Sequence, residues 1–180
     1  PTNTPTATPT EVPPMCIDNR LEEPGFEAWL DGGPGGPPDN WMIDGFDLNV
    51  QQESVTVYDG MYSASMIWFQ EPGQSLYQEV SVAVGSSYNL SLWYLAEDQL
   101  GSIVLRLEWL DENGFVIGSP VESPPSVPVD YWQSLELIDQ IAPIDTTSAR
   151  FSVVGLVSPG QIPIYIDNAE ICGDSPTPTP

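Results

Sequence analysis

The feature that most constrains this chain is a succession of short apolar or alternating segments, each closed by a turn signal, with no sustained helical period and no helix caps between them. Segments of this kind fall at 55–57, 61–69, 75–84, 87–96, 102–110, 132–138, 149–156 and 162–171, and they are rich in Val, Ile, Leu, Tyr and Trp. Between them stand Asp59-Gly60, Pro72-Gly73, Val84-Gly85-Ser86, Glu112-Asn113-Gly114 and Pro159-Gly160, which are turn formers. Short strands at this spacing predict an all-β fold, an antiparallel β-sandwich or jelly roll of about 8–10 strands.

Alternation assigns faces within that sandwich. Tyr88, Leu90, Leu92, Tyr94 and Ala96 form one apolar set, which leaves Trp93 pointing outward with Asn89 and Ser91. In the next strand Ile103, Leu105, Leu107 and Trp109 are the core set, so Arg106 and Glu108 face outward and are expected beside Trp93. Phe151 and Val153 point inward, leaving Arg150 and Ser152 outside. Trp41, Trp109 and Trp132 are assigned to the core.

The ends of the chain differ in kind. Residues 1–14 read PTNTPTATPTEVPP and the chain closes on SPTPTP. Proline lacks the amide donor and fixes φ, so such tracts form neither helix nor sheet ladder and favour extended polyproline II spacers. Thr-Pro tracts are also acceptors for O-linked glycan in secreted proteins, so the chain is expected to be a glycoprotein. The expected organisation is therefore a linker over 1–14, a β-sandwich over 15–173 and a linker over 174–180. The chain reads as an excised or processed part of a longer extracellular or cell-surface protein. Cys16 and Cys172 stand at the two edges of the sandwich. Their mirrored placement and the secreted-style tails favour a disulfide over two free thiols. Closing a loop of roughly 155 residues would stabilise the fold by about 5 kcal/mol.

Charge excludes several partners. Twenty-six acidic residues face only Arg20, Arg106 and Arg150, and the net charge is −23. Phosphate backbones and anionic headgroups are repelled by such a surface, so nucleic acid is not expected as a partner. No apolar run approaches the ~20 residues that span a bilayer, so membrane insertion is not expected either. Histidine and lysine are absent, which removes Ser–His and Cys–His nucleophile pairs, Schiff-base chemistry and histidine-ligated zinc. The glycine-rich run at 32–38 is interrupted by prolines and no helix follows it, so it reads as a surface loop rather than a phosphate cradle. Carboxylates abound, yet no distinctive acid pair marks a glycosidase, and no enzyme activity is expected. Oxygen donors without nitrogen or sulfur partners point to calcium as the cation such a chain would bind.

An ordered set of short motifs carries a resemblance. Asn19, Pro24-Gly25-Phe26-Glu27, Pro38 with Trp41, and Gly60 with Ser63-Ala64 come first. Leu76-Tyr77-Gln78-Glu79-Val80, the stretch from Gly85 through Tyr88 to Trp93, and Asp111 with Gly114 follow. Trp132, Ala142-Pro143, Ala149-Arg150-Phe151 and Tyr165-Ile166-Asp167-Asn168 complete it. In this order they resemble the jelly-roll carbohydrate-binding modules of the galactose-binding-like kind, over about 15–172. The resemblance implies that the first and last strands lie side by side, which would bring Cys16 near Cys172. It also implies one structural calcium, with Glu27 and Asp167 as ligands beside backbone carbonyls.

The expected function is then a non-catalytic, extracellular carbohydrate-binding module that tethers its parent protein or cell to a polysaccharide or cell-surface glycan. Sugars are held by aromatic faces flanked by planar polar groups. Trp93, Arg106, Glu108 and Arg150 are the candidates on one sheet face, with Trp68 or Tyr62 at its rim. The alternative is a structural or adhesive subunit of a filament or surface layer, joined to copies of itself through its tails or edge strands.

Overall fold

The computed structural model describes residues 18–29, 36–68, 72–97, 101–157 and 162–173. Among these residues ten strands form two antiparallel five-stranded sheets. Sheet I has the order β1 (Met42–Asp44), β4 (Ser75–Ser81), β9 (Ser148–Val157), β6 (Ser102–Leu110), β7 (Val121–Glu122). Sheet II has the order β2 (Asn49–Glu53), β3 (Ser63–Ile67), β10 (Ile164–Gly173), β5 (Ser87–Ala96), β8 (Val129–Ile141). The expected antiparallel sandwich is what the chain forms.

The core lies between the sheets and uses the inward sets read from alternation. Tyr88, Leu90, Leu92 and Tyr94 of β5 meet Ile103, Leu105, Leu107 and Trp109 of β6 and Phe151 and Val153 of β9, all buried. Trp41 joins them, in edge contact with Phe151 at 5.9 Å and tilted against Phe26 at 5.0 Å. Burial of such side chains is worth about 1.5–3 kcal/mol each.

Four sequence expectations change. The segment 55–57 is not a strand, because one carboxylate oxygen, Glu53 Oε1, accepts the amides of Ser54, Val55 and Thr56 and turns the chain. Strands β1, β2 and β7 were not legible as alternating runs: each is short and at a sheet edge. Trp132 is not a core residue; it stands on the outer face of sheet II against Tyr58. Trp68 is not at a rim but fully buried. Its indole lies on Gly155 of β9, where an added Cβ would sit 2.5 Å from Trp68 Cε2.

The first and last segments do run side by side. Asn19 bridges Cys172, Arg20 donates its amide to Ile171 O at 3.1 Å, and the Asn19 side chain joins both segments. Cys16, the glycine-rich run up to residue 35 and both Thr-Pro tracts lie outside the described residues.

Gly155→Ala is expected to overpack the Trp68 site and lower stability by about 1–3 kcal/mol. Urea unfolding followed by tryptophan fluorescence should show a lower midpoint with an unchanged slope.

Candidate functional site

Strands β4, β5 and β6 alternate between the two sheets, as do β8, β9 and β10, and this separates the expected site residues. Trp93 is on β5 in sheet II, whereas Arg106, Glu108 and Arg150 are on β6 and β9 in sheet I. The outward faces of the two sheets are opposite sides of the molecule, so Trp93 does not stand beside Arg106 and Glu108. Alternation gave each residue its inward or outward sense correctly. It carries no information on which of two sheets a strand joins.

On the outer face of sheet II, Trp93 is already covered. Tyr58 stacks on it at 4.2 Å with an interplanar angle of 14°, and Trp132 meets Tyr58 edge-on at 5.7 Å. Tyr58 belongs to the loop after β2, and two carboxylates hold that loop down. Asp167 Oδ2 accepts the amides of Tyr58 (3.0 Å) and Asp59 (3.2 Å), and its Oδ1 accepts that of Asn168 (2.8 Å). Glu27 Oε1 accepts the amides of Met61 (3.0 Å) and Tyr62 (3.3 Å). Gly60 lies between them at φ 77°, and a Cβ there would collide with Glu27 Oε1 at 2.0 Å.

Glu27 and Asp167, the pair implied as calcium ligands, thus clamp one loop. Asp167 is buried, and burial pushes its carboxyl up to about 6, with the nearby Glu27 charge adding to the rise against the three amides. A buried carboxylate facing a second one, with hard oxygen donors only, fits a calcium ion in charge and donor type. Among the described residues no group of three or more His, Cys, Asp or Glu side chains could hold a metal. Backbone carbonyls and water would have to complete such a shell.

The outer face of sheet I carries a different surface. Arg150 donates from Nε (3.0 Å) and Nη2 (2.8 Å) to Glu79 Oε1, and its Nη1 is 3.5 Å from Glu108 Oε2. The register explains this, since Glu79, Arg150 and Glu108 are cross-strand neighbours on β4, β9 and β6. The guanidinium also lies 4.8 Å from the ring centre of Tyr77. Burial opposes the charge on Arg150, but the Glu79 hydrogen bond and the Glu79 and Glu108 charges carry its pKa upward overall. Arg106 pairs with Glu122 of β7, at 2.7 Å from both Nε and Nη2, rather than with Glu108. The row through Met42, Tyr77, Ser152, Arg106 and Glu122 crosses all five strands, four spacings or about 19 Å. Tyr77 and Glu79 were missed as site residues, although their alternation with Leu76, Gln78 and Val80 marks them as outward.

No family model and no curated protein matches the chain. Solved structures match its fold. The C-terminal family 22 carbohydrate-binding module of Clostridium thermocellum Xyn10B aligns over 88% of this chain and 92% of its own, at TM-score 0.63 and 16% identity. TmCBM61, solved with β-1,4-galactotriose, aligns over 87% and 99%, at TM-score 0.61 and 20% identity. The enzymatically active domain of bacteriophage CBA120 tailspike protein 4 aligns over 87% of this chain at TM-score 0.67 and 15% identity, and this chain spans 21% of that one. At these identities the likeness is one of fold: the chain shares the jelly-roll architecture of carbohydrate-binding modules.

The Asp167 pKa has a testable sign. A native carboxyl near 6, above its ordinary 3.8, contributes stability that is full below about pH 4 and lost as pH rises through 6. In the presence of a chelator, the denaturation midpoint should therefore rise between pH 7 and pH 5. Asp167→Asn should flatten that rise, and the difference in slope between the two chains isolates this group from general acid-residue repulsion.

Proposed function

We propose that the chain is a non-catalytic, extracellular glycan-binding module, and that the outer face of sheet I is its recognition surface. The observation that carries this reading is the Glu79–Arg150–Glu108 network beside Tyr77. It sets guanidinium donors and carboxylate acceptors in fixed, half-exposed positions on a sheet of the carbohydrate-binding-module type. Sugar hydroxyls both donate and accept, and such planar pairs match them. Arg106 with Glu122 extends the same chemistry toward the β7 edge. Trp93 is not part of this surface, and Trp68 supports it only from the core. The neighbours of like fold include modules described as xylan-binding and one solved with a galactan fragment, which supports a polysaccharide ligand. At a net charge of −23, a neutral polysaccharide is favoured over an acidic one.

In the same reading Glu27 and Asp167 hold a structural calcium ion that relieves their mutual repulsion and fixes the 54–62 loop over Trp93. The ion supplies cross-linking charge and no chemistry. The Cys16–Cys172 disulfide would join the two ends of the domain beside the observed Asn19–Cys172 bridge.

Affinity electrophoresis through xylan and β-1,4-galactan tests the surface. The chain should be retarded in at least one gel, and Arg106→Ala/Arg150→Ala should lose the retardation, a drop in affinity of about tenfold or more. Unchanged migration of the wild type in both would count against the reading. For calcium, saturating ion over chelator should raise Tm by about 5–10 °C, and Glu27→Gln should abolish the shift.

A further inference from the structure

We infer that the cleft at the free edge of β4 is a second sugar subsite, one that recognises hydroxyls without stacking and continues the sheet I surface around its edge. This inference rests on the glycan-binding reading of that surface.

The cleft arises because β1 is short. It pairs with β4 only at Ser75, Leu76 and Tyr77, and leaves the next four residues of β4 without a neighbouring strand on that side. The segment at 20–22 takes that place. The buried side chain of Gln78 fastens it: Nε2 donates to Glu22 O (2.9 Å) and Asn40 O (3.2 Å), and Oε1 accepts the Glu22 amide (2.7 Å). The result is a cleft of about 500 Å³ with Arg20, Glu22, Asn40, Glu79 and Ser81 on its walls. That size suits a small ligand or one ring of a larger one.

Arg20 is what makes the cleft more than a gap. The other two cations of the chain are ion-paired. Among the described residues Arg20 has no such partner, and its Nε is buried without a hydrogen bond. The guanidinium is held in place over the Tyr88 ring, 5.8 Å from its centre. A guanidinium on the cleft wall that no carboxylate of the described residues engages is a donor left for a ligand acceptor, and a charge-assisted hydrogen bond is worth more than a neutral one.

The lining selects the ligand class. An anion would have to approach Glu22 and Glu79 in a chain of net charge −23. A cation meets Arg20. Among the described residues an apolar ligand finds only Val80, and no aromatic ring lines the cleft. A neutral sugar satisfies both signs, because its hydroxyls accept from Arg20 and donate to the two carboxylates. Glu79 also joins this cleft to the main surface. Both Arg150 hydrogen bonds fall on its Oε1, which leaves Oε2 to accept from a ligand. One glycan chain lying across sheet I therefore reaches Arg20 with its last ring.

Titration calorimetry with β-1,4-xylo- and β-1,4-galacto-oligosaccharides of three to six units tests this on the whole chain. Wild-type affinity should keep rising with length on the ladder that binds. Arg20→Ala should bind the shortest binder normally and lose roughly tenfold on the longest, the increment of one charge-assisted hydrogen-bonded ring. Arg150→Ala should weaken every length. Glu22→Gln, an exposed change remote from Tyr88, serves as the second variant and should show the same length-selective loss if Arg20→Ala fails to fold. Equal long-ligand affinity in wild type and in the folded cleft variants would overturn the subsite and leave the main surface standing. Absence of heat from both ladders with the wild type would overturn both.

Discussion

Two apolar sheet faces that can be buried only against each other are the constraint on which the rest of this structure depends. Each strand offers one such face, and the chain satisfies both sheets at once by crossing between them. Strands β4, β5 and β6 fall in sheets I, II and I, and β8, β9 and β10 in II, I and II. Apart from β2 with β3 and β6 with β7, which pair, neighbours in sequence therefore lie in opposite sheets. Their outward residues end on opposite sides of the molecule, and every surface property follows from that division.

The same division explains what was legible in the sequence. Alternation read the inward sets of β5, β6 and β9 correctly, because period two is local and burial enforces it. It could not tell that Trp93 and Arg106 belong to different sheets, since a core-facing pattern looks the same from either side. Trp132 was misassigned for a related reason. Its strand alternates as Leu135 and Leu137 require, with Gln133 rather than Trp132 on the core side, reaching the Tyr94 hydroxyl at 3.2 Å. Aromatic identity suggested core, and the register put the ring outside. The pairing of Glu27 with Asp167 came from motif resemblance alone. They are 140 residues apart, and only the topology that lays β10 beside β3 brings them to one loop.

That loop shows how the two faces of the sandwich come to differ. Sheet II has aromatic side chains on its outer face, and a loop pinned by four amide-to-carboxylate bonds brings Tyr58 down over Trp93. Carboxylates satisfy those amides at the expense of placing two negative charges close together, one of them buried. The cover is thus secured by the same groups that would bind a cation, and its stability is tied to their ionisation. On the outer face of sheet I, by contrast, Arg150, Glu79 and Arg106 stay partly exposed, while Ser152, Val104 and Val154 of the same face are buried.

A partly exposed ionic cluster calls for a reason other than stability. Arg150 and Glu79 leave about a third of their side chains exposed, at 28% and 38%, and pairs of that kind contribute only about 0–1 kcal/mol. A chain with twenty-six acids and three bases has little difficulty finding partners for an arginine, so the pairing itself is unremarkable. What the network fixes is orientation. Cross-strand register sets Glu79, Arg150 and Glu108 in a row, Tyr77 lies under the guanidinium, and none of these side chains is free to turn without breaking a contact. Holding long polar side chains in one arrangement costs rotamer entropy that a merely solvated surface would not spend. When a ligand arrives, that cost has already been met, and the gain from matching donors and acceptors is realised in full. The rigidity of sheet I, with its small direct return in folding free energy, is therefore the physical ground for reading it as the face that recognises.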